Sequence, residues 1–268
     1  MKGSIHHRLR KSKQRILRRL EGSREDRGQP MFAASNIRVE LADKVRAIGV
    51  GGIGLVHQLA RQVGLVQAID RRVHLLKIHR PYHESDHVLN LAYNALCDGT
   101  RLEDIELRRN DEVFLDALGT ERIPDPTTAG DFCRRFDEAD IRNLMRAIDE
   151  ARLNVWARQP AKFFERATID LDGTLVVTTG ECKAGMDISY KGTWGYHPLL
   201  VSLAETGEVL RLVNRSGNRP SHEGAAEEAD EAIALCRRAG FRKIVLRGDR
   251  AFSQSQRLCP PNPTRLQP

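Results

Sequence analysis

The feature that most constrains this chain is a change of hydrophobic period near Phe163. From Gly49 to about Gln159, apolar residues return every three or four positions, as in Val88, Leu91, Ala92, Ala95 and Leu96, which is the period of helices packed by one face. Beyond Phe163 the step shortens to two. Ala167, Ile169 and Leu171 alternate with Thr168, Asp170 and Asp172, which predicts a half-buried strand carrying two carboxylates on one face. A chain that changes period once holds a helical region followed by a sheet, so a pure helical bundle and a pure β-sandwich are both excluded.

Helix ends in the first region are marked by Cys97-Asp98-Gly99, by Leu118-Gly119 and by Pro124-Asp125-Pro126, after which Thr127 or Thr128 is expected to cap a helix reaching Phe136. In the second region a glycine-rich loop follows the first strand. Residues 198–203 and 208–213 then flank Glu205-Thr206-Gly207, the pattern of a hairpin. Ser221 is the expected cap of a helix with the apolar stripe Ala225, Ala229, Ile233 and Cys236, ended by Gly240. Residues 243–247 form a last strand, followed by Gly248-Asp249. The order strand, strand, strand, helix, strand brings that last strand back through a helix, so it is expected parallel to a neighbour, the first strand above all. In such a sheet Asp249 and one of Asp170 and Asp172 are expected to face a single cavity.

Charge separates the start of the chain from the rest. The net charge is +7, and residues 1–30 hold ten Lys and Arg against three Asp and Glu, which leaves 33 of each sign in residues 31–268. Attraction to nucleic acid is therefore concentrated in a basic arm. The acid-free first twenty residues fit an organellar transit peptide, a nucleic-acid arm, or an extension upstream of a start at Met31, and the extension is preferred. Five cysteines at 97, 133, 182, 236 and 259 form no close pair and leave one over in any disulfide scheme, as expected of a reducing, cytoplasmic setting. No apolar run reaches the roughly 20 residues that a membrane span needs.

Three patterns offer chemistry. Gly49-Val50-Gly51-Gly52-Ile53-Gly54, with Asp70 following, fits a dinucleotide fingerprint and an NAD(P)-dependent oxidoreductase, but that motif needs a strand before it and βαβ units after it, where the pattern here is helical. The plainer reading is a helix start whose glycines permit close packing. His83-Glu84-Ser85-Asp86-His87 has the spacing of a zinc protease, with Glu103 or Glu106 as a third ligand, and its plainer reading is a helix start capped by His83 or Ser85. The third pattern is distributed. Asp170 and Asp172 on the first strand, with Asp249 after the last, are carboxylates that repel one another unless protonated or bridged by a divalent cation.

The segments IDLDGT, KGTWGYHPLLVSLAETGEVLRLVNRSGNRPSHEGAAEEADEAIALCRRAGF and IVLRGDRAF resemble the catalytic domain of bacterial insertion-sequence DDE transposases. RPYHESDHVLNLAYNALCDGTRLEDIELRRND and GTERIPDPTTAGDFCRRF resemble the same family's N-terminal region, so the resemblance covers about residues 37–254. It implies an α+β, α/β chain: a basic, disordered arm over 1–36, a helical region over 37–160, a partial ribonuclease H-like mixed sheet over 161–254 and an unrelated tail over 255–268. It also implies cleavage of transposon ends and strand transfer to target DNA with Mg²⁺ or Mn²⁺, by a cytoplasmic, nucleoid-associated protein acting as a dimer on DNA. By position, Asp172 is the first metal ligand, with Asp170 its close rival, and Asp249, followed by Arg250, is the second. The third ligand of the family is a glutamate on a later helix. Residues 250–268 contain no Asp or Glu, so a truncated and inactive transposase is expected, with a DNA-binding remnant that regulates an intact element as the alternative. Glu181 and Asp187, in the loop after the first strand, are the remaining acids nearby.

Overall fold

In the computed structural model, which describes residues 10, 11, 13, 14, 28–35, 37, 50–179, 183–249 and 252, the chain divides into two units, Met1–Asn154 and Val155–Pro268. The arm's residues 1–9, 12, 15–27 and 36, together with 38–49, 180–182, 250, 251 and 253–268, lie outside the described residues.

The first unit is helical, as the period predicts: α1 (Ile53–Gln62), α2 (Leu65–Arg72), α3 (Glu84–Leu96), a 3₁₀ turn at Leu102–Asp104, α4 (Ile105–Arg109), α5 (Glu112–Leu118), α6 (Pro126–Cys133) and α7 (Glu138–Trp156), the last running into the second unit. Local chemistry sets the boundaries. Asp111 caps α5 by accepting from the amides of Val113 at 2.9 Å and Phe114 at 3.3 Å, and Gly119 ends it in the left-handed region at φ 64°. The cap of α6 is Asp125 and not a threonine. Its carboxylate accepts from Thr128 N–H at 2.9 Å while Pro126 occupies the first helical position, where a missing N–H costs nothing. The helix ends at Cys133, short of Phe136.

The core gathers Ile105, Phe114, Leu115, Leu118 and Ile123, and it also takes in Met31 and Phe32. Residues 31, 32 and 34 are buried, so packed structure begins before residue 37, the boundary expected from the sequence.

The buried face of α3 is polar. Of the stripe Val88, Leu91, Ala92, Ala95 and Leu96, none is fully buried and Leu96 is 63% exposed, whereas Asp86, His87, Asn90, Tyr93 and Asn94 are buried. Most of these polar groups carry a bond that offsets their desolvation, His87 being the exception. Asp86 accepts from the amides of Met31 at 3.0 Å, Phe32 at 3.2 Å and His83 at 2.9 Å. Asn90 donates to the Pro124 carbonyl at 3.1 Å, Asn94 to that of Arg101 at 3.0 Å, and the Tyr93 hydroxyl meets His57 Nδ1 at 2.8 Å. Hydropathy alone pointed to the wrong face because it cannot see these partners.

The second unit holds a mixed four-stranded sheet in the order β6-β5-β1-β7, with β1 Arg166–Gly173, β5 Leu199–Leu203, β6 Glu208–Val213 and β7 Lys243–Gly248. β5 and β6 form the predicted hairpin, turning through Gly207 at φ 72°. β7 pairs in parallel with β1 after α8 (Ala225–Ala239), as a crossover through a helix requires. Helix α8 lays Ala225, Ala229, Ala232 and Cys236 on the sheet face formed by Ala167, Ile169, Leu171, Val201 and Leu203, all buried. Ile233 lies at the margin, half-buried, and the small residues let the helix approach closely. Ser221 is not its cap. Gly224 at φ 70° holds that place, with residue 221 three positions earlier in a turn.

The glycine-rich loop is not irregular throughout. It folds into a second sheet, ordered β2-β4-β3, from β2 (Val176–Val177), β3 (Asp187–Ile188) and β4 (Trp194–Tyr196). These strands are two or three residues long, too short for alternation to show in the sequence.

Candidate active site

β1 lies between β5 and β7, and its burial follows the alternation in the sequence: Ile169 and Leu171 are buried, Asp170 is half-buried and Asp172 is exposed. In the parallel pairing Asp170 stands opposite Arg247 and Leu171 opposite Gly248. The pairing ends there, with Asp172 the next residue of β1 and Asp249 the residue after β7. The sheet thus brings the first carboxylate segment beside the second, as expected from a strand returning through a helix.

The two aspartates of β1 have different fates. Asp170 receives a bidentate fork from Arg247, Nε to Oδ1 and Nη2 to Oδ2, both at 2.6 Å, which raises the guanidinium pKa above its ordinary value. Its charge is already answered. Asp172 has no ion-pair partner among the described residues, so it is the one with a carboxylate available to a cation.

Asp249 borders a cavity of about 220 Å³ whose wall includes Gly173, Ser189, Lys191, His197 and Ser221. Neither Asp170 nor Asp172 lines it, so the expectation that one of them shares a cavity with Asp249 is not met. The wall instead starts at Gly173, one residue past Asp172, and is completed by the small sheet and the loops around it.

His197 was missed in the sequence. Its Nδ1 lies 2.8 Å from the Arg219 carbonyl, which can only accept, so Nδ1 carries the proton and the neutral ring keeps its lone pair on Nε2. That atom sits against Gly173: a Cβ there would come within 2.8 Å of Nε2 and 3.3 Å of Ser221 Oγ. Arg215 braces the arrangement, donating from Nε to the His197 carbonyl at 3.0 Å and from Nη1 to the carbonyls of Pro220, Ser221 and Glu223. Burial lowers the pKa of this guanidinium. The hairpin carried a signal for His197. Leu199 pairs with Gly173, which puts the residue two positions upstream at the same sheet edge as Asp172.

The family model described as transposase DDE domain group 1 matches residues 33–259, a little beyond both ends of the segments that carry the resemblance. The chain belongs to this transposase family. DNA is the substrate that membership implies, and no helix among the described residues is long and apolar enough to cross a membrane. No curated protein and no solved structure matches the chain.

The transposase family's need for divalent metal can be tested against the donors present. Asp172, on β1, and Asp249, just after the parallel β7, are oxygen donors of the kind a hard cation takes, Asp172 being exposed and without an ion-pair partner among the described residues, whereas Asp170 is engaged by Arg247. Asp187 is also committed, accepting from Asn218 Nδ2 at 2.5 Å and from Ile188 N–H at 2.7 Å. Glu181, Arg250 and the tail from residue 253 lie outside the described residues.

The other two motifs belong to the helical unit. Gly52 caps α1 in open space, and a Cβ on Gly54 would collide with the Ala117 carbonyl and the Ile37 side chain, so Gly54 serves close packing. Helices follow α1 with no strand in residues 50–165, Gly49 lies outside the described residues, and Asp70 accepts from Ser85 N–H at 2.9 Å and Oγ at 3.0 Å. In the second motif His83 is the residue before α3. His87 does not join it at a metal: its ring stacks on Phe132 at 4.3 Å and 9°, and burial lowers its pKa to about 4. Glu106 pairs with Arg109 at 3.1 Å.

Proposed function

We propose that this chain is an insertion-sequence transposase that binds DNA at the β1–β7 edge of a partial ribonuclease H-like sheet. The observation that carries the proposal is the parallel register of β1 and β7, which runs to Leu171 opposite Gly248, the residues just before Asp172 and Asp249, while Arg247 pairs with Asp170. The ribonuclease H-like reading is supported by the order β6-β5-β1-β7, with the first strand inside and the last returning parallel to it through a helix.

Asp172 and Asp249 are the residues that would hold Mg²⁺ or Mn²⁺, and Asp170 acts as the ion-pair partner that fixes Arg247. When bound, such an ion supplies positive charge to activate an attacking hydroxyl and to stabilise the leaving oxygen in phosphodiester chemistry. The chain's own contribution is rigid placement, since Asp172 is set by two neighbouring strands and Asp249 by the end of β7. In this reading the chain binds transposon ends and target DNA in a bacterial cytoplasm, at the nucleoid and as a dimer; the second reading is a non-catalytic DNA-binding regulator of intact relatives.

The test is an end-cleavage and strand-transfer assay with Mg²⁺ and Mn²⁺ alongside a mobility-shift assay. DNA binding is expected, and any metal-dependent cleavage should be lost in Asp172→Ala and in Asp249→Ala. Absence of DNA binding would contradict the reading, and cleavage that survives Asp172→Ala, Asp170→Ala and Asp249→Ala together would remove the site.

A further inference from the structure

We infer that His79, His83 and Glu84 form a binding site for one divalent transition-metal ion of the zinc class, which would clamp the loop over residues 73–83 to the start of α3. This inference concerns the helical unit and does not depend on the proposed DNA chemistry. The ligand atoms of the three side chains all lie within 4.8 Å of one another, and among the described residues no other group of three histidines, cysteines and acids meets that spacing.

The site is built around a buried carboxylate. Glu84 is 2% exposed, and its Oε1 accepts from the amides of Leu75 at 3.0 Å and Leu76 at 2.9 Å. Those bonds fix the carboxylate plane and turn Oε2 toward His79 Nε2, 3.1 Å away. His83 is also buried, and its ring stacks on that of His79 at 3.9 Å and 5°, with one ring nitrogen of each within 4.8 Å of the other and of a Glu84 carboxylate oxygen.

Without metal, His79 Nε2 lies in hydrogen-bond contact with Glu84 Oε2. A metal ion would take the place between them once the rings turn about χ2 so that both nitrogens converge, any proton on the ligating nitrogens leaving to solvent. Two imidazoles and one carboxylate with a fourth position open is a donor set for Zn²⁺, Co²⁺ or Ni²⁺, whereas Mg²⁺ and Ca²⁺ prefer oxygen throughout.

The register explains why the sequence points to the wrong pair. His83 and His87 are four apart, but α3 starts at Glu84, so His83 stands before the first turn next to the preceding loop and meets His79, while His87 lies within the helix and stacks on Phe132. The ligand pattern is therefore His-x₃-His-Glu, with its first member in the loop. That loop also walls a cavity of about 580 Å³ with Leu75, Ile78, Tyr82, Phe132 and Arg135, so the ion would fix one side of it.

The experiment uses the full chain, stripped of metal by dialysis against a chelator and titrated with Zn²⁺ in competition with a chromophoric chelator, and with Co²⁺ followed by visible absorption. His6, His7 and the cysteines offer other donors, so the decisive quantity is the difference between the chain and its variants. His79→Ala removes a half-buried loop ligand, and Glu84→Gln keeps an acceptor for the Leu75 and Leu76 amides while removing the charge. Each variant is expected to weaken the tightest Zn²⁺ equivalent by roughly tenfold or more. Each should also lose a rise in thermal midpoint that Zn²⁺ produces in the parent and Mg²⁺ does not. Should Glu84→Gln fail to fold by circular dichroism, His79→Ala decides alone. Equal affinity in parent and variants, or no Zn²⁺ retained by the parent, overturns the inference.

Discussion

Acidification should destabilise the helical unit through His87, by an amount that the structure sets. The ring is 4% exposed, lies flat on Phe132, meets Tyr82 edge-on at 5.5 Å, and its Nδ1 has no hydrogen-bond partner among the described residues. Desolvation is the chief reason that its pKa falls from 6.5 to about 4, with Arg135 adding to it and Glu84 and Asp125 opposing. A group that binds its proton more weakly when folded contributes stability that is complete above the unfolded pKa and is lost as pH falls toward the folded one. Stability from His87 should therefore be present at pH 7 and drop by about 2 kcal/mol at pH 5 and about 3 kcal/mol at pH 4, an order-of-magnitude value for a pKa lowered from 6.5 to about 4. His57, whose pKa burial also lowers, adds a slope of the same sign, and the raised pKa values of Asp70 and Asp86, again chiefly from burial, give slopes of the opposite sign. The diagnostic is therefore a difference, measured by urea unfolding from pH 7.5 to pH 4 on the chain and on His87→Phe. The variant keeps an aromatic ring against Phe132 and shifts the whole curve through repacking, but it should lose the His87 part of the pH dependence. Parallel curves over this range would show that His87 is protonated without penalty and that its burial has been misread.

Other substitutions probe the packing and the charge. Asp86→Ala would leave the amides of Met31, Phe32 and His83 without their acceptor and should cost about 3 kcal/mol or more at the urea midpoint, at roughly 1–3 kcal/mol per unmet buried donor, whereas a change below about 1 kcal/mol would mean that water takes over the role. Ala229→Leu forces extra methylenes between α8 and the sheet and should destabilise by about 1–3 kcal/mol, with an unchanged thermal midpoint counting against close helix-to-sheet contact. Gly173→Val should displace His197, seen as a shifted imidazole resonance in a nuclear magnetic resonance spectrum, and an unmoved resonance would show that the ring does not rest on this glycine. Deleting residues 1–30, which hold ten of the 43 basic side chains, should reduce the salt slope of DNA binding by several counterions, and an unaltered slope would place recognition in the rest of the chain.

The sequence made the second unit more legible than the first. Alternation at Ala167–Asp172, the turn at Gly207 and the helix stop at Gly240 are local signals, and the parallel return of β7 follows from chain connectivity. Those together bring the β1 segment that carries Asp170 and Asp172 beside the strand that precedes Asp249. What stayed hidden depends on partners remote in sequence. Arg247 removes Asp170 from contention because β7 pairs with β1, 77 positions earlier, and nothing in IDLDGT distinguishes its two aspartates. The polar buried face of α3 escaped for the same reason, since Asp86 looks like a surface acid until the amides of Met31 and Phe32 are seen on it. His83 was paired with His87 because helical spacing was counted from a residue that stands outside the helix.

The central claim is that Asp172 and Asp249, and not Asp170, form the cation-holding pair of this transposase. Mn²⁺ binding followed by electron paramagnetic resonance on the full chain and on single asparagine variants tests it most directly. The structure predicts that Asp172→Asn and Asp249→Asn each abolish the Mg²⁺-competable Mn²⁺ site, while Asp170→Asn, which breaks only the fork to Arg247, leaves it in place. Loss of that site in Asp170→Asn together with full retention in Asp172→Asn would contradict the account.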